Sequence, residues 1–225
     1  MANIAEYFRQ HLATPDAVLY RQFGADAWRD VPLAEIAALI GRWQAALGTL
    51  GLAQGDRVAV CLRNGVDWVA LDLAALGLGL VIVPLYVDDN PDNVSWCAAN
   101  AEARLLVVET TRMANALAQC GAALPAIYVL RPDAGDTESS VAALLPPIAA
   151  APKFRDLPAD MLATICYTSG TSGRTRFSPG SPLAPWRSCC YMPGACRSCA
   201  LRPPAAASSE RRTCGAIPPC AACSS

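Results

Sequence analysis

Lysine and histidine are almost missing from these 225 residues: Lys153 and His11 are the only ones. A single histidine excludes a multi-histidine metal site. It also excludes a histidine-based catalytic triad anywhere but near the N-terminus. Charge of either sign is scarce. Charged residues make up 16 % of the chain, below the roughly 25 % of an ordinary globular domain. The formal net charge is −1, which gives no reason to propose nucleic acid or an anionic membrane as a partner. Long apolar runs are lacking too. The longest, 73–87, holds 15 residues between Asp72 and Asp88 and contains Gly77, Gly79 and Pro84. A membrane-spanning helix needs about 20 residues, so no transmembrane segment is expected. The run reads as a buried helix end followed by a buried strand. The first ten residues show no basic stretch followed by an apolar run. No secretory signal peptide is visible in them, and the cytoplasm is the expected location.

Hydrophobic residues make up 53 %, enough for a sizeable core in one large domain. Arginine outnumbers lysine 17 to 1. Lys and Arg serve equally well on most surfaces, so the imbalance points to codon bias in a G+C-rich gene. Composition changes abruptly near residue 176. Residues 177–225 hold one acid, Glu210, yet seven of the 11 cysteines. Ala, Pro, Ser, Cys and Arg account for 37 of those 49 residues, and valine is absent from them.

The body, 1–176, alternates between helical and strand-like patterns. Leu33, Ile36, Ile40, Trp43 and Leu47 recur at the spacing of an amphipathic helix. Gly48 and Gly51 follow where such a helix stops. Gly55-Asp56 marks a turn, and 57–62 is an apolar run of strand length. Residues 66–76 read as a helix and 79–84 as a Val/Ile-rich strand. Pro91 opens another helix. Residues 105–108, 126–130 and 163–167 are further strands, with loops at 133–140 and 149–158. Continuously apolar strands separated by helices predict an α/β fold. The sheet is expected to be mostly parallel, with helices on both faces.

The chemistry concentrates in one loop directly after the last of these strands: Tyr167-Thr168-Ser169-Gly170-Thr171-Ser172-Gly173-Arg174-Thr175-Arg176. Glycine lets backbone N–H groups approach a ligand with no Cβ in the way. Successive N–H groups in such a turn form a concavity for anions. The hydroxyls add neutral donors, and Arg174 and Arg176 add fixed positive charge for phosphate oxygens. This predicts a phosphate-binding loop at the carboxyl end of a strand, where α/β sheets bind ligands. A polar surface loop that binds nothing has the same composition. The Walker A and G-x-G-x-x-G spacings are both absent.

The string resembles the Y-T-S-G-T-T-G-x-P-K-G signature of the adenylate-forming superfamily, which includes acyl-CoA synthetases, peptide-synthetase adenylation domains and luciferases. Tyr167, Thr168, Ser169, Gly170, Thr171 and Gly173 match it. Ser172 stands for Thr, Thr175 for Pro, Arg176 for Lys and Phe177 for Gly. The stretches 51–86 and 91–108 resemble the family's early segments, so the resemblance covers nearly all of 1–176. It implies a partial N-terminal large subdomain of the adenylate-forming fold. It also implies an AMP-dependent acid–thiol ligase, with a fatty acid as the preferred substrate class. ATP, Mg²⁺ and coenzyme A are the implied cofactors, and nucleotide and carboxylic acid the implied partners. In such enzymes the carboxylate attacks the α-phosphate, pyrophosphate leaves with Mg²⁺, and a thiol displaces AMP. Thr168, Ser169, Gly170, Thr171, Ser172, Gly173 and Arg176 are the residues that the resemblance assigns to the ATP phosphates. The family's adenine-binding segment, ribose-gripping acid, hinge and catalytic lysine come after this loop and are not found in 177–225. No catalytic residue is therefore assigned, and the chain alone is expected to be inactive. Oligomeric state is not assigned.

Residues 177–225 admit two readings. The pairs Cys196/Cys199 and Cys220/Cys223 fit a four-thiolate zinc site, which would make this a zinc-binding interaction protein. A shifted reading frame of a G+C-rich gene yields the same composition and predicts a disordered tail. For the chain as a whole, a non-catalytic nucleotide- or phosphate-binding protein is the further alternative to a ligase.

Overall fold

In the computed structural model the residues described are 4–24, 26–148, 150–158, 160–168 and 176–180. All of them lie in the first of the chain's two units, Met1–Tyr191. A short helix, α1 (Ile4–His11), precedes an antiparallel hairpin of β1 (Val18–Gly24) and β2 (Ala27–Pro32). Then follow α2 (Leu33–Thr49), β3 (Arg57–Cys61), α3 (Val66–Leu78), β4 (Val81–Pro84), α4 (Pro91–Asn100) and β5 (Ala103–Thr110). After α5 (Thr111–Ala118), β6 (Ala126–Arg131) and α6 (Val141–Leu144) come β7 (Thr164–Thr168) and β8 (Arg176–Gly180).

Six strands form the main sheet, in the order β6-β5-β3-β4-β7-β8. The first five run parallel and β8 closes one edge antiparallel. The continuous apolarity of the strands has a simple cause: both faces are covered. Val58, Val60, Ile82, Leu105 and Val107 enter one core beneath α2 and α3. Their neighbours Ala59, Cys61, Val81, Val83, Leu106 and Val108 enter a second core beneath α4 and α5. Successive strand side chains point to opposite faces, so a strand buried on both sides has no polar position to spare.

The helical stripe is buried as its spacing predicts: Ile36, Ile40, Trp43 and Leu47 are each 0 % exposed. Burial of such side chains contributes about 1.5–3 kcal/mol each. α2 ends at Thr49, whose hydroxyl donates to the Ala46 carbonyl at 2.7 Å. Gly51 follows at φ +67°, a conformation that costs glycine nothing. Pro91 starts α4 as expected, and the Asn90 side chain caps it by accepting from the Asp92 N–H at 2.9 Å.

β6 lies at one edge of the sheet and β7 lies beyond β4, so the chain between them crosses the α2/α3 face. Beyond α6 the described residues of this strap are coil rather than helix, in keeping with the loop expected at 149–158. It is held by main-chain hydrogen bonds. Gln44 Nε2 donates to the Lys153 carbonyl at 2.6 Å and Gln44 Oε1 accepts from the Lys153 N–H at 2.7 Å. The Arg155 N–H donates to the Gly77 carbonyl at 2.9 Å, and Arg42 Nε donates to the Pro146 carbonyl at 2.7 Å.

The β1–β2 hairpin has no counterpart among the elements expected from sequence, and neither does α5. The hairpin is solvent-facing. Phe23 and Trp28, partners in its register, are 58 % and 64 % exposed, so polar and apolar residues do not alternate. Pairing also continues past the compositional boundary at 176, because residues 177–180 belong to β8. Strand pairing uses backbone groups that almost any sequence supplies. Pro179, which has no N–H, is tolerated there because β8 is an edge strand.

Candidate phosphate-binding site

The carboxyl ends of the parallel strands converge on one edge of the sheet. Parallel register alone brings together Arg63 after β3, Tyr86 after β4, Glu109 near the end of β5 and Arg131 at the end of β6. Glu109 is the buried centre of this group. Its Oε2 accepts from the Arg63 N–H at 3.0 Å, and its Oε1 lies 3.3 Å from Arg131 Nε. The Arg63 guanidinium reaches outward to the exposed Asp88, 3.1 Å away. Three cavities of about 530, 400 and 450 Å³ open along this edge, and Arg63 lines all of them. The middle one is bounded by Trp68, Tyr86, Cys166 and Tyr167, beside the strand that leads into the glycine- and hydroxyl-rich loop.

Of the seven residues assigned to phosphate, Thr168 ends β7 and Arg176 begins β8, and the two are register partners across that hairpin. The backbone therefore brings together the first and last members of the set at the carboxyl edge. Ser169, Gly170, Thr171, Ser172 and Gly173 lie outside the described residues. So do Arg174 and Thr175, and the tail cysteines Cys196, Cys199, Cys220 and Cys223.

Tyr167, the first residue of the matching string, is turned into the core at 5 % exposure. Its hydroxyl donates to Asn100 Oδ1 at 2.8 Å, and its ring stands edge-on to Trp96 with centroids 5.9 Å apart. Burial raises its pKa, with Cys97 adding to the shift, so it serves as a neutral donor. Nothing in the sequence signals the contact with Asn100, because the two residues lie 67 positions apart.

Among the described residues no nucleophilic thiol is offered at this edge. Burial, assisted by Asp89, Glu109 and Asp88, pushes the Cys61 thiol up to about 12. A thiol at that value is protonated and inert at neutral pH. Burial also raises Cys166. Cys61 packs in the core beneath α4 and α5, whereas Cys166 is half-buried and lines the middle cavity. The acidic run 88–92 is a capping turn: Asp89 Oδ1 accepts from the Asn90 N–H at 2.8 Å and from Asn93 Nδ2 at 3.1 Å. Among the described residues no group of three or more His, Cys, Asp or Glu side chains is placed to hold a metal ion. Nor is any helix among them long and apolar enough to cross a membrane. His11 ends α1.

Comparison with known proteins agrees with this architecture. A long-chain-fatty-acid–CoA ligase of Mycobacterium bovis is 33 % identical over 178 residues, covering 76 % of this chain and 30 % of the relative. An L-proline–[L-prolyl-carrier protein] ligase of Pseudomonas fluorescens is 32 % identical over 169 residues, covering 69 % of this chain and 32 % of the relative. The chain thus spans about 30 % of the length of the curated relatives it matches. The crystal structure of an acyl-CoA synthetase of Brucella canis superposes with a TM-score of 0.68 at 19 % identity. That match covers 80 % of this chain and 33 % of the other, and it is a likeness of fold. The AMP-binding enzyme family matches residues 7–176, from the last turns of α1 to the first residue of β8, and the chain belongs to that family.

Proposed function

We propose that residues 1–176 are the phosphate-holding part of an ATP-dependent, AMP-forming acyl-CoA ligase, with a fatty acid as the acid substrate. The observation that carries the reading is the meeting of Thr168 and Arg176 at the carboxyl edge of a parallel sheet. A hydroxyl- and glycine-rich loop runs between these two residues. Its donor set suits phosphate. Backbone N–H groups and hydroxyls supply many short hydrogen bonds, and Arg176 supplies a cation that stays charged at any working pH. Phosphoryl chemistry asks a protein mainly for positioning and charge stabilisation, and such a loop supplies both. Mg²⁺ bound with the nucleotide would neutralise phosphate charge, and no described residue is assigned to it. The fatty-acid assignment is supported by the name of the Mycobacterium bovis relative. Coenzyme A is the proposed thiol acceptor and the cytoplasm the proposed location, where ATP and coenzyme A are both available.

Titration of the 225-residue chain with ATP and with AMP tests the reading. ATP should bind more tightly than AMP, because the loop reads the β- and γ-phosphates. Replacing Arg176 by Gln should weaken ATP about ten- to a hundredfold, in line with about 1.5–3 kcal/mol for a charged hydrogen bond, and leave AMP nearly unchanged. Equal affinity for the two nucleotides, or no response of ATP to R176Q, would overturn it. The chain alone is expected to release no pyrophosphate from ATP and a fatty acid. Acyl-adenylate formed by the purified chain would refute that part.

A further inference from the structure

β7 delivers the loop, but the sheet holds β7 only lightly. It meets β4 at one registered pair, Ile82 with Thr164, where the Ile82 N–H donates to the Ala163 carbonyl at 2.9 Å. Along its full length β7 pairs instead with β8, the outermost strand. An edge strand is a poor reference for position, so the carboxyl half of β7 must be fixed by side chains. Ile165 and Tyr167 are buried in the core beneath α4. Tyr167 lies one residue before the loop, and it is grasped twice. Asn100 accepts its hydroxyl proton at 2.8 Å, and Trp96 meets its ring at 5.9 Å and 73°. Trp96 and Asn100 stand four residues apart on α4, one above the other on the same helical face. The helix is a firm platform, capped by Asn90 and sunk into the core through Val94, Cys97 and Ala98.

We propose that Asn100, supported by Trp96, is a positioning residue for the 168–176 loop. It holds the Tyr167 hydroxyl and thereby sets where β7 presents the loop to the ATP phosphates. The proposal rests on the phosphate reading given above, and Asn100 itself touches no substrate. Asn100 is exposed, which separates this role from a structural one. When its side chain is removed, water can accept the phenolic proton, so little global stability is lost. What is lost is a fixed direction for the end of β7.

Hydrogen exchange of the full 225-residue chain, read peptide by peptide alongside ATP titration, tests this. Asn100→Ala and Tyr167→Phe should each speed exchange in peptides spanning 164–180 by about two- to tenfold, the factor that one hydrogen bond represents. Peptides of β3 and β5 should not change. The double variant should exceed neither single variant, because both remove the same bond. Asn100→Asp, which keeps an acceptor, should restore the wild-type pattern. ATP should bind more weakly in the two disrupted variants by a similar factor. The proposal fails if Asn100→Ala leaves exchange in 164–180 unchanged, or if it speeds β3 and β5 equally, which would mark a general structural role. Failure of the wild-type chain to bind ATP would refute the phosphate reading instead, and the exchange pattern would still decide whether Asn100 positions β7.

Discussion

Gly77→Ala is expected to destabilise the fold by about 1–3 kcal/mol, the usual cost of forcing an extra methyl into a packed site. The position lies inside α3, where alanine normally stabilises a helix by about 0.5–1 kcal/mol over glycine. Packing reverses the sign. A Cβ at Gly77 would sit 2.7 Å from Gln44 Nε2, 2.8 Å from the Lys153 carbonyl oxygen and 2.9 Å from Phe154 Cδ1. Two of these three groups cannot yield cheaply. The Lys153 carbonyl is backbone, and the Gln44 amide is already committed to Lys153 through both of its ends. The strap would have to lift away from α3 and give up the bond from Arg155 to Gly77. Gly48 in α2 is the control. A Cβ there meets nothing within 4 Å, so Gly48→Ala should be neutral or slightly stabilising. Urea midpoints followed by circular dichroism read both variants. A midpoint for Gly77→Ala equal to that of wild type would mean that the strap does not pack on α3 as described. Because the strap leads directly into β7, the same variant should also weaken ATP binding, and Gly48→Ala should not.

The parts of this fold that were legible in the sequence are those in which burial leaves a local trace. β3, β4 and β5 read as strands because both of their faces are covered and a run of consecutive apolar residues fills the middle of each. α2 reads as a helix because one face alone is buried. The hairpin β1–β2 leaves no such trace: Val18, Leu19, Phe23 and Trp28 are all exposed large apolar residues. It is fastened by the single buried side chain of Val31, with Tyr20 packed beside it, and by a polar contact in which Gln22 Oε1 accepts from the Val66 N–H at 3.0 Å. α5 is equally silent, since Leu117 is its one buried residue. The site divides in the same way. The string 167–176 is contiguous and could be read directly. Arg63, Glu109 and Arg131 are scattered through the chain, and parallel pairing of β3, β5 and β6 is what assembles them. Asn100 is an ordinary helix-end residue until the fold brings Tyr167 to it.

Asp72→Asn should stabilise the chain at neutral pH and leave it unchanged in acid. Asp72 lies on α3 between the buried Leu71 and Leu73. Among the described residues it has neither an ion pair nor a hydrogen-bond partner to offset its burial. Desolvation lifts its carboxyl to about 6, against about 3.9 in an unfolded chain. Asp72 also raises the pKa of the half-buried Tyr20 on β1, although burial of that phenol is the larger cause. The folded state therefore holds a proton on Asp72 that the unfolded state releases. This favours folding below about pH 4, where both states are protonated. The advantage drains away as pH rises from about 4 to about 6, and above that the folded protein carries the full cost of a buried charge. A shift of about two units corresponds to about 3 kcal/mol, an upper bound once partial access to water is allowed for. Asn removes the charge and keeps the shape. Unfolding free energies from urea titration of the variant and wild type should nearly coincide at pH 4, separate between pH 4 and 6, and differ by about 1–3 kcal/mol at pH 7.5 in favour of the variant. A gain of the same size at pH 4 would trace the effect to packing rather than ionisation, and no gain at pH 7.5 would mean that the carboxylate is hydrated in the folded chain.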